Sequence, residues 1–369
     1  MEQEKKIGII TCGLETNYGA CLQALSTQVI VKSLGYKVEL MNYSFFPDKS
    51  YSPFKQPTLK SFISSIVFYS KRKKQWKAFK EFRNERMVYS PYRLYSTEDF
   101  KRHMDEYSLF IIGSDQVWNP FLGIDIDITL LTFYKSHKGL RKISYASSFG
   151  ISSLPEELKE KYKNSLYDFD CISTRENTGK TIIKELIDKE CDVVVDPVML
   201  QTAYQWGEYE DDSIVPPTPY VLVYDMNHNE EMIKCASLIG ERKKTGIIVV
   251  SSITILKKNF TNLSGVSPSQ FLSLVKNAEY IVTDSFHGTV FSLIYNKEFF
   301  AFSDNRSEKL VSRLSNILHL VGLDNRLLTN TSEINNSDVI NYDEVNKRID
   351  SLREKSMNYL KTAIDNALS

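Results

Sequence analysis

A chain of 369 residues is longer than one core usually supports, so two domains are expected. Hydrophobic residues at 42% and charged residues at 25% exclude a disordered chain, and 46 basic against 46 acidic residues exclude a global field that would draw it to nucleic acid. The charged start, 1–6, runs into the apolar segment 7–11 without a signal-peptide core, and no apolar run is long enough to span a bilayer, so a cytoplasmic location is expected.

The first elements read as a strand (6–11), a helix (20–34), a Gly35-Tyr36 turn and a second strand (37–42). This βαβ start predicts an open, mostly parallel sheet whose ligands gather beyond the carboxyl ends of the strands. Asn17-Tyr18-Gly19-Ala20 lies between the first strand and helix. Its small residues let backbone approach an anion at a helix start, and Tyr18 offers an exposed ring for stacking on sugar; the same residues also suit a turn that only caps the helix. Further on, Lys71, Arg72, Lys73, Lys74, Lys77, Lys80, Arg83 and Arg86 are interleaved with Trp76, Phe79 and Phe82. Helical spacing puts the three rings on one face, which fits peripheral contact of 71–86 with an anionic membrane, or a helix docked by its rings with a solvated basic face.

A buried run at 109–113 leads into Gly113-Ser114-Asp115-Gln116-Val117-Trp118. Ser114, Gln116 and Trp118 form a sugar-reading set there, with Asp115 able to take a hydroxyl proton or to cap the next helix. Strands at 142–146 and 171–173 follow, the latter ending in Ser173-Thr174-Arg175-Glu176. Arg175 presents a planar fork for phosphate or carboxylate, and an internal pair with Glu176 is the plainer use of it. After a strand at 192–195, Asp196-Pro197 ends the pairing and closes an N-terminal domain, 1–200.

A linker-like stretch, 215–219, precedes a second alternating series: 220–224, 246–251, 280–283 and 299–302, within a C-terminal domain, 201–340. Thr283-Asp284-Ser285-Phe286-His287-Gly288-Thr289 lies between a strand and a helix, and a histidine flanked by glycine and hydroxyls is placed for proton transfer and anion contact. His103, His137, His228 and His319 lack such company and read as surface or structural. Arg306, Lys309 and Arg313 could close over an anionic donor. The segment 341–369 carries helical apolar spacing and is expected to pack back on the N-terminal domain. Five scattered cysteines without a CxxC pair indicate neither disulfides nor zinc, and no compact ligand cluster calls for any metal.

Taken in order and spacing, Asn17-Tyr18-Gly19-Ala20 with Leu22-Gln23-Ala24, GSDQVW at 113–118, SYASSFG at 144–150, Ser173-Thr174-Arg175-Glu176, Asp196-Pro197 and TDSFHGT at 283–289 resemble the polysaccharide pyruvyl transferase family along most of the chain. The resemblance implies two Rossmann-like domains facing across a cleft, similar to GT-B glycosyltransferases. It implies phosphoenolpyruvate as donor, a glycan or lipid-linked oligosaccharide as acceptor, a pyruvate ketal as product and no further cofactor. By the same resemblance His287 and Arg175 fall on positions that serve donor binding and catalysis. Several members carry arginine two residues before the histidine, where this chain has Ser285, so Arg313 or Lys309 would have to substitute. The expected roles are His287 as general acid or partner of the leaving phosphate, Arg175 as clamp and Asp115 as base. The competing readings are a nucleotide-sugar glycosyltransferase of the same architecture and a non-catalytic glycan-binding protein.

Overall fold

The computed structural model describes residues 6–45, 59–133, 139–251, 254–303, 308–334 and 339–369, with backbone alone for 59–68 and 308–312. The chain divides into two units. Met1–Phe46, Arg86–Gln201 and Asn346–Ser369 form the first; Pro47–Glu85 and Thr202–Val345 form the second.

In the first unit, β1 (Lys6–Ile10), β2 (Val38–Leu40), β3 (Tyr107–Ile112) and β4 (Arg141–Ser144) make a parallel sheet in the order β2-β1-β3-β4. The short parallel pair β5 (Ser173–Thr174) and β6 (Asp192–Val193) continues it through a bridge between Ile143 and Cys171. Growth of the sheet reverses between β1 and β3, which is where doubly wound sheets open a crevice at the strand ends. Leu109, Phe110, Ile111 and Ile112 are all buried, the near-continuous apolar run of a strand covered on both faces.

The closing helix, Tyr342–Leu368, groups with this unit from Asn346 onward. Ser356 Oγ accepts the Val195 amide at 3.0 Å, Tyr359 donates to the Ser144 carbonyl at 3.1 Å, and Arg353 Nε donates to the Met199 carbonyl at 2.8 Å. Leu360, Ala363 and Ile364 are buried.

The second unit holds β7 (Tyr220–Asp225), β8 (Gly246–Ser251), β9 (Phe260–Leu263), β10 (Tyr280–Thr283), β11 (Glu298–Phe302) and β12 (Leu327–Leu328). All are parallel, in the order β12-β11-β10-β7-β8-β9. The chain builds outward from β7 to β9, then restarts on the other side of β7 with β10, so β7 and β10 flank the switch point. Val221, Val223, Val249, Val282, Phe300 and Phe302 pack with Met232, Ala236 and Ile239 of the helix Glu230–Lys243. The short strands β9 and β12 escape a reading by apolar runs because each is brief and only partly buried.

One assignment is corrected. Residues 59–85 belong to the second unit, although chain order alone puts them in the first. The helix Leu59–Arg86 is fixed there by Gln75 Nε2 donating to the Val266 carbonyl at 3.1 Å and by Lys71 Nζ donating to Thr254 Oγ1 at 2.5 Å. Its rings do not share one fate: Phe79 and Phe82 are buried, whereas Trp76 is 42% exposed with Lys80 Nζ 5.0 Å from its ring centroid.

Truncating Leu360 to alanine should destabilise the first unit by about 2–5 kcal/mol, the usual cost of a cavity left by a buried leucine. Urea denaturation followed by circular dichroism measures it, and a loss below about 0.5 kcal/mol would remove the helix from that core.

Candidate functional site

At the carboxyl ends of the first sheet the loops are drawn together by buried charge. Arg175, its side chain 2% exposed, donates from Nη1 to Asp196 Oδ2 at 2.7 Å; Asp115 Oδ1 lies 3.7 Å from Nη2 and Glu176 Oε2 lies 4.0 Å from Nε. Burial by itself pulls the guanidinium pKa down, but Asp196, Asp115 and Glu176 together outweigh it and hold it above its ordinary value. Each carboxylate has further donors. Asp196 accepts Ser114 Oγ at 2.8 Å and the Val198 amide at 3.1 Å, while Glu176 accepts Ser148 Oγ at 2.8 Å and the Phe149 amide at 3.1 Å. Asp115 has a left-handed backbone, φ +72°, and accepts the Gln116 amide at 2.9 Å. Its carbonyl accepts the Ser148 amide, so the GSDQVW and SYASSFG loops interlock.

Several side chains expected to read sugar are structural. Trp118 is sealed in the core, donating from Nε1 to the Thr129 carbonyl and packing on Phe149 and Phe169. Tyr18 is buried, so it offers no exposed ring, and Asn17 caps the helix Tyr18–Ser33 by accepting the Ala20 amide at 3.1 Å. Gly19, also buried, forms part of that helix's first turn. Ser114 is buried with its hydroxyl committed to Asp196, and Gln116 Oε1 accepts Asn119 Nδ2 at 2.7 Å. Gly150, at φ +59°, stands so close that a Cβ would lie 2.0 Å from Gln116 Oε1. The Cys12 thiol is pushed well up by burial, with Glu15 and Asp115 adding to the effect, so it is no nucleophile. A cavity of 350 Å³ lined by Asp127, Lys142, Lys161 and Asp168 opens at the start of β4, the opposite end of that strand from these loops.

In the second unit the switch point carries two buried aspartates. Asp284, just past β10, accepts the amides of Met226 and Asn227, each at 2.8 Å. Its pKa is raised, mainly by burial, with the charge of Asp225 adding to it. Asp225, at the end of β7, accepts the His228 amide at 2.8 Å and Ser251 Oγ at 2.9 Å, and its Oδ2 lies 3.3 Å from His228 Nδ1. This histidine, set aside in the sequence reading, therefore has a carboxylate partner. The signal was present as Asp225-Met-Asn-His228 closing an apolar strand.

His287 is largely buried in the first turn of the helix Phe286–Ile294. Ser285 is the cap, its Oγ accepting the Gly288 amide at 3.3 Å and its carbonyl accepting Thr289 Oγ1 at 3.1 Å. Thr283 Oγ1 takes the Ser285 amide at 3.1 Å and donates to the Tyr224 carbonyl at 2.8 Å. A Cβ at Gly288 would sit 2.5 Å from Thr283 Oγ1 and 2.9 Å from Tyr224 Cδ1, so the missing side chain lets the helix start lie directly on the strand ends. Arg313 is half-buried on the helix Glu308–Val321, while Arg306 and the Lys309 side chain lie outside the described residues. Among the described residues no group of three or more His, Cys, Asp or Glu is arranged to hold a metal ion, and no helix is long and apolar enough to cross a membrane.

The family model described as polysaccharide pyruvyl transferase matches residues 17–306. No curated protein sequence matches the chain. Among solved structures it is similar to the UDP-GlcNAc 2-epimerase of Methanocaldococcus jannaschii, at 13% identity over 94% of this chain and 92% of that one, with a TM-score of 0.50. It is also similar to the S. aureus MnaA-UDP co-structure, at 11% identity over 97% of this chain and 91% of that one, with a TM-score of 0.51. At such identities the likeness is one of fold.

Replacing Arg175 with methionine should cost about 3–5 kcal/mol, because it leaves Asp196 and its neighbours buried without their cation. Guanidinium chloride denaturation reads the loss; a change under about 1 kcal/mol would show that the guanidinium does not hold the cluster.

Proposed function

Since the chain belongs to the polysaccharide pyruvyl transferase family, we propose that it moves the enolpyruvyl-derived group of phosphoenolpyruvate onto two hydroxyls of a surface glycan or its lipid-linked precursor, forming a pyruvate ketal. The reaction sets definite demands. The methylene carbon gains one proton, the adjacent carbon forms two bonds to acceptor oxygens, and its bond to the phosphate oxygen breaks. Of the two hydroxyl protons lost, one balances the new methyl group and the other leaves with phosphate.

The observation that carries this reading is the placement of His287. It is held in the first turn of a helix, beside the switch point of its sheet, by the Ser285 cap and the bare α-carbon of Gly288. The positive end of the helix favours a dianion there, and the imidazole supplies the proton to the methylene or meets the departing phosphate. Arg175 takes a changed part. With Asp196 bound at 2.7 Å and two more carboxylates within 4.0 Å, its charge is already answered inside its own unit. It serves better to fix Asp115 and the loop of 113–118 for an acceptor than to clamp the donor. Asp115, 20% exposed and beside that cation, can accept a hydrogen bond from an acceptor hydroxyl.

The fold is shared with proteins whose names include UDP, so a nucleotide sugar is the donor class to test against phosphoenolpyruvate. The helix Leu59–Arg86 suggests where the protein works. Between 71 and 86 eight basic residues stand against two acidic ones in a chain of equal totals; Arg83 is buried, the other seven reach the surface, and Trp76 is exposed among them with Tyr69 exposed just before. Such a surface fits the inner, anionic face of a membrane.

His287→Ala should lower phosphate release from phosphoenolpyruvate about a hundredfold or more while leaving the circular dichroism spectrum unchanged. Near-normal turnover would remove the histidine from the chemistry. In a thermal-shift panel, phosphoenolpyruvate should raise the melting temperature and UDP sugars should not; the reverse would move the donor to the nucleotide-sugar class. Changing Lys73, Lys74 and Lys80 together to glutamate should weaken sedimentation with phosphatidylglycerol vesicles about tenfold or more, at roughly 1 kcal/mol per cation. Unchanged sedimentation would leave the basic face merely solvated.

A further inference from the structure

From the Asp225–His228 pair we infer a second proton-transfer residue in the His287 site: His228, acting as the base that takes a proton from an acceptor hydroxyl. This rests on the pyruvyl-transfer reading and supplies a group that reading requires, since both acceptor hydroxyls must lose their protons.

The geometry is that of an oriented imidazole. The Asp225 side chain is fully buried at the end of β7, and a carboxylate can only accept, so the His228 nitrogen facing it at 3.3 Å is the one that carries hydrogen. In the neutral ring this leaves the lone pair on Nε2. The His228 side chain is 44% exposed, so the ring reaches solvent from a carboxylate that does not. Asp225 is already satisfied by the His228 amide and Ser251 Oγ, and it needs no imidazole for its own sake.

The backbone beneath the ring is equally determined. Asp284 holds the amides of Met226 and Asn227, Asp225 holds that of His228, and Asn229 turns to cap the helix Glu230–Lys243 by accepting the amides of Glu231 and Met232. His228 itself lies in the left-handed region at φ +60°, a conformation that asparagine or glycine adopts more readily. Asp284 also stands three residues before His287. One buried carboxylate thus ties the loop that carries His287 to the loop that carries His228, on adjacent strands β10 and β7. A base and an acid carried on the tied loops of two neighbouring strands suit a reaction that removes protons from oxygen and delivers one to carbon.

Two arms test the assignment. Histidine-selective ¹⁵N labelling of the whole protein should show His228 as the Nδ1–H tautomer; an Nε2–H tautomer overturns the pairing, and this measurement needs no substrate. In the second arm, phosphate release from phosphoenolpyruvate is followed with a panel of p-nitrophenyl hexosides as acceptor probes. His228→Asn, which keeps the left-handed turn, should lose about a hundredfold in kcat with KM for phosphoenolpyruvate within about threefold. His228→Gly should regain about tenfold with added imidazole. Full turnover in the asparagine variant, or loss in the glycine variant that imidazole does not rescue, overturns the base role. Absence of phosphate release by the unaltered protein with every acceptor would instead strike the donor reading, and this role with it, before any variant is made.

Discussion

A carboxylate shut away from water must gather donors or remain costly, and three aspartates at strand ends impose that demand on the loops around them. Asp196 gathers Ser114, Arg175 and the Val198 amide; Asp225 gathers the His228 amide and Ser251; Asp284 gathers two consecutive amides of the neighbouring loop. Loops that would otherwise sample many conformations are thereby held where parallel strands deliver them. The residues that remain available for chemistry are few, and they stand on rigid ground.

The two sheets use this device differently. In the first unit a single guanidinium answers several carboxylates, and the surrounding serines, Ser114 and Ser148, stitch the strand ends into one network. In the second unit the donors to Asp225 and Asp284 are mostly backbone amides, and the ring of His228 stands against one of these carboxylates, its Nδ1 3.3 Å from Asp225 Oδ2.

Much of this was legible in the chain. Apolar runs followed by polar loops marked most of the parallel strands, and the motifs at 113–118, 173–176 and 283–289 fall just past strand ends, as read. Ring exposure was not legible: Trp118 and Tyr18 sit beside polar neighbours in sequence yet turn into the core, because side-chain direction after a strand depends on what the loop packs against. Arg175 was read against its neighbour Glu176, whereas its closest partner, Asp196, lies 21 residues on. His228 was passed over because its partner reads as the last residue of a strand, and only the turn at φ +60° brings the two together. The membership of 59–85 in the second unit could not be read from chain order, which carries no record of an excursion and return.

The first unit is assembled from three stretches of chain, the last being the closing helix from Asn346 onward. On the ribosome, therefore, its sheet emerges early and must wait, with the surface around Ser144 and Val195 uncovered, until residues 346–369 have been translated. Synthesis order and folding order are out of step in this protein, and chaperone dependence should be concentrated in that interval.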